Sequence, residues 1–132
     1  MNKLIRQKGE KLLIQWGDCM RNINVINNEI ERLNSQLSIF FLNQSISNND
    51  NIKVYQELLE IQQLNLKKML SNYIGINSII LELEDYKQQV IKLRYINKYS
   101  WKAISIKVHV SVRTCFNIKN QVILKILSRN TL

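Results

Sequence analysis

Between residues 20 and 41 an apolar series runs through Ile23, Ile26, Ile30, Leu33, Leu37 and Phe40, alternating three and four apart. That spacing puts them on one stripe of a helix, with Glu29, Glu31 and Arg32 off it. A second pattern begins at Val54 and continues through Tyr55, Leu59, Gln62, Leu66, Met69, Tyr73, Ile76, Ile80 and Leu83, with Gln62 its one polar position. The stretch between them, Asn43–Asn51, is rich in Asn and Ser, whose short polar side chains compete with helical backbone bonding and predict a loop. A seam of this length predicts coiled-coil packing. With a connection of about ten residues, the simplest arrangement is an antiparallel hairpin of helices 20–41 and 52–82.

The second helix is the longer, so part of its stripe is left uncovered by the first. Two partners are available for the excess: a first segment, residues 3–16, with Leu4, Ile5, Leu12, Leu13 and Trp16 apolar, or a second copy of the chain. Gly75 lies inside the second pattern, where glycine costs about 1 kcal/mol relative to alanine and allows a local kink.

After Leu83 the period continues in shorter pieces. Val90, Leu93 and Ile96 mark one helix face, Ile104 and Val108 a second, and Cys115, Ile118, Val122 and Ile126 a third. Ser100 and Ser111 each precede such a pattern, where a hydroxyl can accept the unpaired N–H groups of a first helical turn. A short helix, a tight turn and a longer helix, with a supporting helix before them, is the layout of a helix-turn-helix. The absence of proline and the presence of only three glycines suit long helices with short connections. The expected fold is all-α: an N-terminal helical hairpin or coiled coil over residues 1–82, then a small helix-turn-helix domain over 83–132.

Charge sharpens this division. Tyr86 to Leu132 carries ten Lys or Arg and no acid, whereas residues 1–85 carry nine basic and ten acidic residues, which together give the net +9. A cationic segment interleaved with a helical apolar pattern is the footprint of nucleic-acid binding. Several other classes are disfavoured. There is no apolar run of about 18 residues to cross a bilayer and no secretory signal, so a cytoplasmic protein without membrane contact is expected. Cys19 and Cys115 lack CxxC spacing and accompanying histidines, which argues for reduced thiols at packing or surface positions, and no metal or cofactor is expected. No Gly-rich phosphate loop, HExxH or histidine-based nucleophile pair occurs, so an enzyme is not expected; Glu82, Glu84 and Asp85 fit the acidic first turn of a helix.

The run Val90-Ile91-Lys92-Leu93-Arg94-Tyr95-Ile96, followed by Ser100-Trp101 and by Ser111-Val112-Arg113-Thr114 with Phe116 behind, resembles the C-terminal DNA-binding region of bacterial sigma factors. Within that superfamily it is most similar to the small phage late-transcription regulators of the ArpU and RinA type, over about residues 83–127. The resemblance implies sequence-specific binding of promoter-proximal double-stranded DNA and control of phage or mobile-element late genes; RNA polymerase is a candidate partner only on the sigma-like alternative given below. Two positions depart from the family pattern. His109 stands where a turn glycine is usual, and histidine is among the few other residues enriched at positive φ. Ser105 stands where alanine is usual, and its hydroxyl can bond back to a carbonyl one turn earlier.

With a final helix starting after Ser111, the side chains of Val112, Arg113, Thr114, Asn117, Asn120 and Gln121 project away from the Cys115–Ile118–Val122 stripe. Arg113 has the bidentate geometry for guanine and Asn117 that for adenine, although either can serve phosphate instead. Lys98, Lys102, Lys107 and Lys119 are expected phosphate contacts, and Ser111 both a cap and a phosphate contact. Phe116 is equally suited to rest on a sugar or thymine methyl and to complete the domain core. Trp101 is expected to pack between helices. A homo-oligomer through the N-terminal helices is expected because helical DNA-binding modules commonly act as symmetric pairs. Two other readings remain open at this point: a small terminase-like packaging subunit and a sigma-like accessory factor that contacts polymerase.

Overall fold

A computed structural model of the protein describes residues 2–43 and 49–130. Five helices make up the described chain: α1 Lys3–Asn43, α2 Asn49–Leu81, α3 Asp85–Tyr95, α4 Trp101–Val108 and α5 Val112–Asn130. The fold is all-α, and among the described residues there is no strand. The separate segments expected at 3–16 and 20–41 are one continuous 41-residue helix. No proline interrupts it, and Gly17, the one weak helix former at the expected break, is held by close packing rather than released into a turn. Most of the expected loop, residues 44–48, lies outside the described residues, and α2 already begins at Asn49.

The chain forms two compact units, one comprising residues 22–72 and the other the described residues up to Arg21 together with those from Tyr73 onward. In the 22–72 unit, α1 and α2 run antiparallel. The rings of Phe40 and Tyr55 meet at 5.3 Å, and further along the pair Val25, Ile26, Glu29 and Arg32 share a hollow with Gln62. Its described buried side chains, Ile23, Leu33 and Leu37, are all on α1. The α2 seam residues Tyr55, Leu59, Leu66 and Met69 are only half-buried.

The other unit is built around one apolar core. Val90, Ile91 and Tyr95 of α3, Ile104 of α4, and Cys115, Ile118, Val122, Ile123 and Ile126 of α5 meet Leu13 and Trp16 of α1 and Ile76, Ile79 and Ile80 of α2. The core therefore crosses the boundary expected at 82/83. A helix-turn-helix of about fifty residues has only a small core of its own, and here the start of α1 and the end of α2 add to it. This is where the excess α2 stripe goes: onto the first segment. The buried face of α3 also differs from the expected one, since Ile91 and Tyr95 are sealed while Leu93 and Ile96 are half-buried.

Two glycines set how near α1 comes. A Cβ at Gly9 would overlap the Ile123 side chain of α5, and one at Gly17 would overlap the Tyr95 carbonyl of α3. Gly75 has open space around it, and α2 runs through it. Gln88 ties α2 to α3 by donating to the carbonyls of Leu81 and Leu83 at 3.1 and 2.8 Å.

Candidate nucleic-acid interface

α4, the turn after it and α5 are shaped by short-range bonding. Ser100 caps α4, its hydroxyl accepting from the Ala103 N–H at 3.1 Å, and Ser111 caps α5 by accepting from the Thr114 N–H at 3.0 Å. Between them, His109 adopts the left-handed conformation at φ 61°, ψ 42°. The Val110 N–H reaches back to the Ser105 carbonyl at 3.2 Å, the six-to-one bond of a Schellman ending. Ser105 does not bond one turn earlier as expected. Its hydroxyl donates forward to the Val110 carbonyl at 2.5 Å, so the backbone and side chain of one residue close the turn from both sides.

The turn aims α5 so that one side is buried and the other open. Cys115, Ile118, Val122 and Ile126 face the core, and burial pushes the Cys115 thiol above its ordinary value. Arg113, Asn117 and Gln121, each four residues after the last, are exposed. Val112 and Thr114 are half-buried, and the Thr114 hydroxyl lies 2.9 Å from that of Ser111. Asn120 is turned partly inward, its Oδ1 buried without a hydrogen-bond partner among the described residues. It does not project as expected.

Lys119 requires a larger correction. Its side chain is only 14% exposed and its Nζ lies 3.8 Å from Glu10 Oε2 and over the rings of Phe116 and Trp101, at 5.1 and 5.7 Å. Helical register places it on the flank of α5 that meets α1, where the Glu10 carboxylate attracts it, so it is not presented to a phosphate. Lys98 is exposed but lies 3.3 Å from Asp18, and it takes the left-handed conformation at φ 62°. Lys102 and Lys107 are exposed, the latter with its Nζ 5.2 Å over the Tyr99 ring. Lys92, not among the expected contacts, is exposed on α3 and reaches Gln88 only at 3.5 Å.

Phe116 is not sealed in the domain core. It remains 39% exposed and one side rests on Trp101, with ring centroids 5.2 Å apart. Trp101 is the packing residue expected: Tyr95 meets it edge-on at 6.4 Å, and the Arg94 guanidinium lies 4.8 Å from its ring while donating to the Tyr99 carbonyl at 3.1 Å.

Three residues of α1 support this assembly without any local sequence signal. Arg21 donates to the carbonyls of Tyr95 and Ile96 at 3.0 and 2.6 Å, satisfying the open end of α3, and is itself paired with Asp18. Glu10 accepts the Tyr95 hydroxyl at 2.9 Å. Burial, and then the Glu10 carboxylate, push the Tyr95 phenol well above the ordinary tyrosine value. Farther along, Glu82 pairs with Arg129 at 2.9 Å. Glu10, Asp18 and Glu82 thus engage three of the ten cations, and Arg113, Lys102, Lys107 and Lys92 are left exposed with no recorded acidic partner among the described residues.

Among the described residues no helix is long and apolar enough to cross a membrane. No curated protein and no solved structure matches the chain. The model of one family, described as protein of unknown function (DUF722), matches residues 8–128, spanning both ends of the core just described, and the chain belongs to that family.

Proposed function

We propose that the protein is a sequence-specific, double-stranded-DNA-binding transcriptional regulator that reads the major groove with α5. The observation that carries this reading is the outward row Arg113–Asn117–Gln121 on the helix that follows a left-handed turn, in a segment with ten basic residues and no acid. Arginine and amide side chains at this spacing have the donor and acceptor geometry to pair with guanine and adenine edges. Lys102, Lys107 and Lys92 supply charge for phosphates, and the exposed side of Phe116 offers an apolar contact for a sugar or thymine methyl. Control of phage-type late genes rests on the resemblance of residues 83–127 to the ArpU and RinA regulators.

Selection of bound duplexes from a random pool, followed by sequencing, tests the proposal. One enriched motif is expected, with Arg113→Ala losing discrimination at one position by about 1–3 kcal/mol. A chain that enriches no motif, or that keeps its full preference without Arg113, rejects it.

A further inference from the structure

Within the 22–72 unit the side of α2 turned away from the half-buried seam carries Val54, Ile61 and Leu64, with Leu58 on the flank next to the seam, all between 41 and 67% exposed. Beside them lie the exposed charges Glu57 and Glu60 in the first half and Lys67 and Lys68 in the second. We propose that this face is the self-association surface of the protein, pairing α2 with α2 of a second copy in antiparallel orientation about a twofold axis between Gln62 and Gln63.

Charge chooses the occupant and its direction. The face is its own complement: in that register Ile61 meets Leu64 of the second copy, and Glu57 meets Lys68 of the second copy. Glu60 and Lys67 of the second copy fall on the flank, and the axis repeats every pair. With Ile61 and Leu64 at core positions of an antiparallel coiled coil, Glu57 and Lys68 fall on the same seam, so a Glu57–Lys68 pair closes the Ile61–Leu64 layers at each end and fixes the orientation, while Glu60 and Lys67 flank them. Parallel pairing would instead set Glu57 against Glu57 and Lys68 against Lys68, which is repulsive. The unit also has reason to seek cover, since between residues 22 and 72 the described buried side chains are three residues of α1 and none of α2.

The test is the mass of the full chain in solution, by sedimentation equilibrium at low salt. A concentration-dependent rise towards twice the chain mass is expected, with dissociation strengthened as salt is added because the flanking charges Glu60 and Lys67 stay at the surface of the pair and the Glu57–Lys68 pairs lie at the ends of a short apolar contact. The double variant Glu57→Lys with Glu60→Lys should weaken association on the order of tenfold, by replacing attraction with repulsion at repeated pairs. Adding Lys67→Glu and Lys68→Glu should restore it. A monomer at every concentration overturns the proposal, as does a salt-insensitive or larger assembly that ignores the charge reversal. If the double variant fails to fold, the salt response of the wild-type mass decides. None of these outcomes depends on whether α5 binds DNA.

Discussion

Gly17 lies against the carbonyl oxygen of Tyr95, closer than any side chain would permit. That approach lets Arg21, one turn on, reach the carbonyls at the end of α3, so a glycine and an arginine of α1 together hold the helix that supports the turn. Gly17→Ala must push α1 away from backbone, which cannot yield as a side-chain tip can, and should destabilise the fold by about 1–3 kcal/mol. Gly75→Ala is the control, because a Cβ there meets nothing within 4 Å. It should stabilise by about 1 kcal/mol through helix propensity alone. Urea unfolding of the two variants checks both signs, and two destabilised variants would contradict the packing described.

The turn between α4 and α5 makes a second pair of opposite predictions. Ser105→Ala removes the hydroxyl that donates to the Val110 carbonyl and should cost about 1 kcal/mol. His109→Gly relieves a side chain held at φ 61° and should raise stability by about 1 kcal/mol, since only glycine takes that conformation without steric cost. Thermal melts at one pH separate the two.

These cases show what the sequence discloses and what it conceals. Ser100, Ser111 and His109 were legible because their roles are local: a cap accepts from residues three ahead, and a left-handed turn needs one of few residue types. The outward Arg113 and Asn117 followed from period alone, as did the buried Cys115, Ile118 and Val122. Lys119 was misread because the same period gives its direction but not what stands there, and Glu10 is 109 positions away in the chain. Gly9 and Gly17 read as ordinary helix-interior glycines until α5 and α3 are placed beside them. The single α1 helix was hidden by a change of stripe, since Leu13 and Trp16 serve the helix-turn-helix core and Leu33 and Leu37 the paired helices.

Tyr95 gives the fold a dependence on alkaline pH. Its phenol is 2% exposed and bonded to Glu10, and its pKa is raised in the folded state above the ordinary 10.0. The unfolded chain therefore releases this proton first, so the contribution is complete below about pH 10 and is lost progressively as pH rises above it. Stability measured by urea unfolding at stepped pH should fall from that point. Tyr95→Phe should be less stable at neutral pH, having lost the bond to Glu10, yet fall less steeply in alkali. Equal slopes for the two proteins would show that the Tyr95 proton plays no part.

If α5 reads DNA, the lysines should separate by salt dependence. Each phosphate neutralised on a duplex adds about 0.9 to the slope of log affinity against log salt. Lys102 and Lys107 are exposed with no acid recorded beside them, so Lys102→Ala and Lys107→Ala should each reduce that slope by about one. Lys119, 14% exposed and turned to Glu10, should leave the slope unchanged when replaced by alanine, whatever it costs in stability. Lys98 lies between these cases because Asp18, 3.3 Å away, competes with any phosphate for it. Lys98→Ala should therefore lower the slope less than Lys102→Ala, and Asp18→Asn should widen the effect of losing Lys98. Affinities at four or more salt concentrations on one duplex supply every slope. A Lys119→Ala loss as large as that of Lys102→Ala would mean that α1 leaves α5 on binding, and that the contact with Glu10 belongs to the free protein alone.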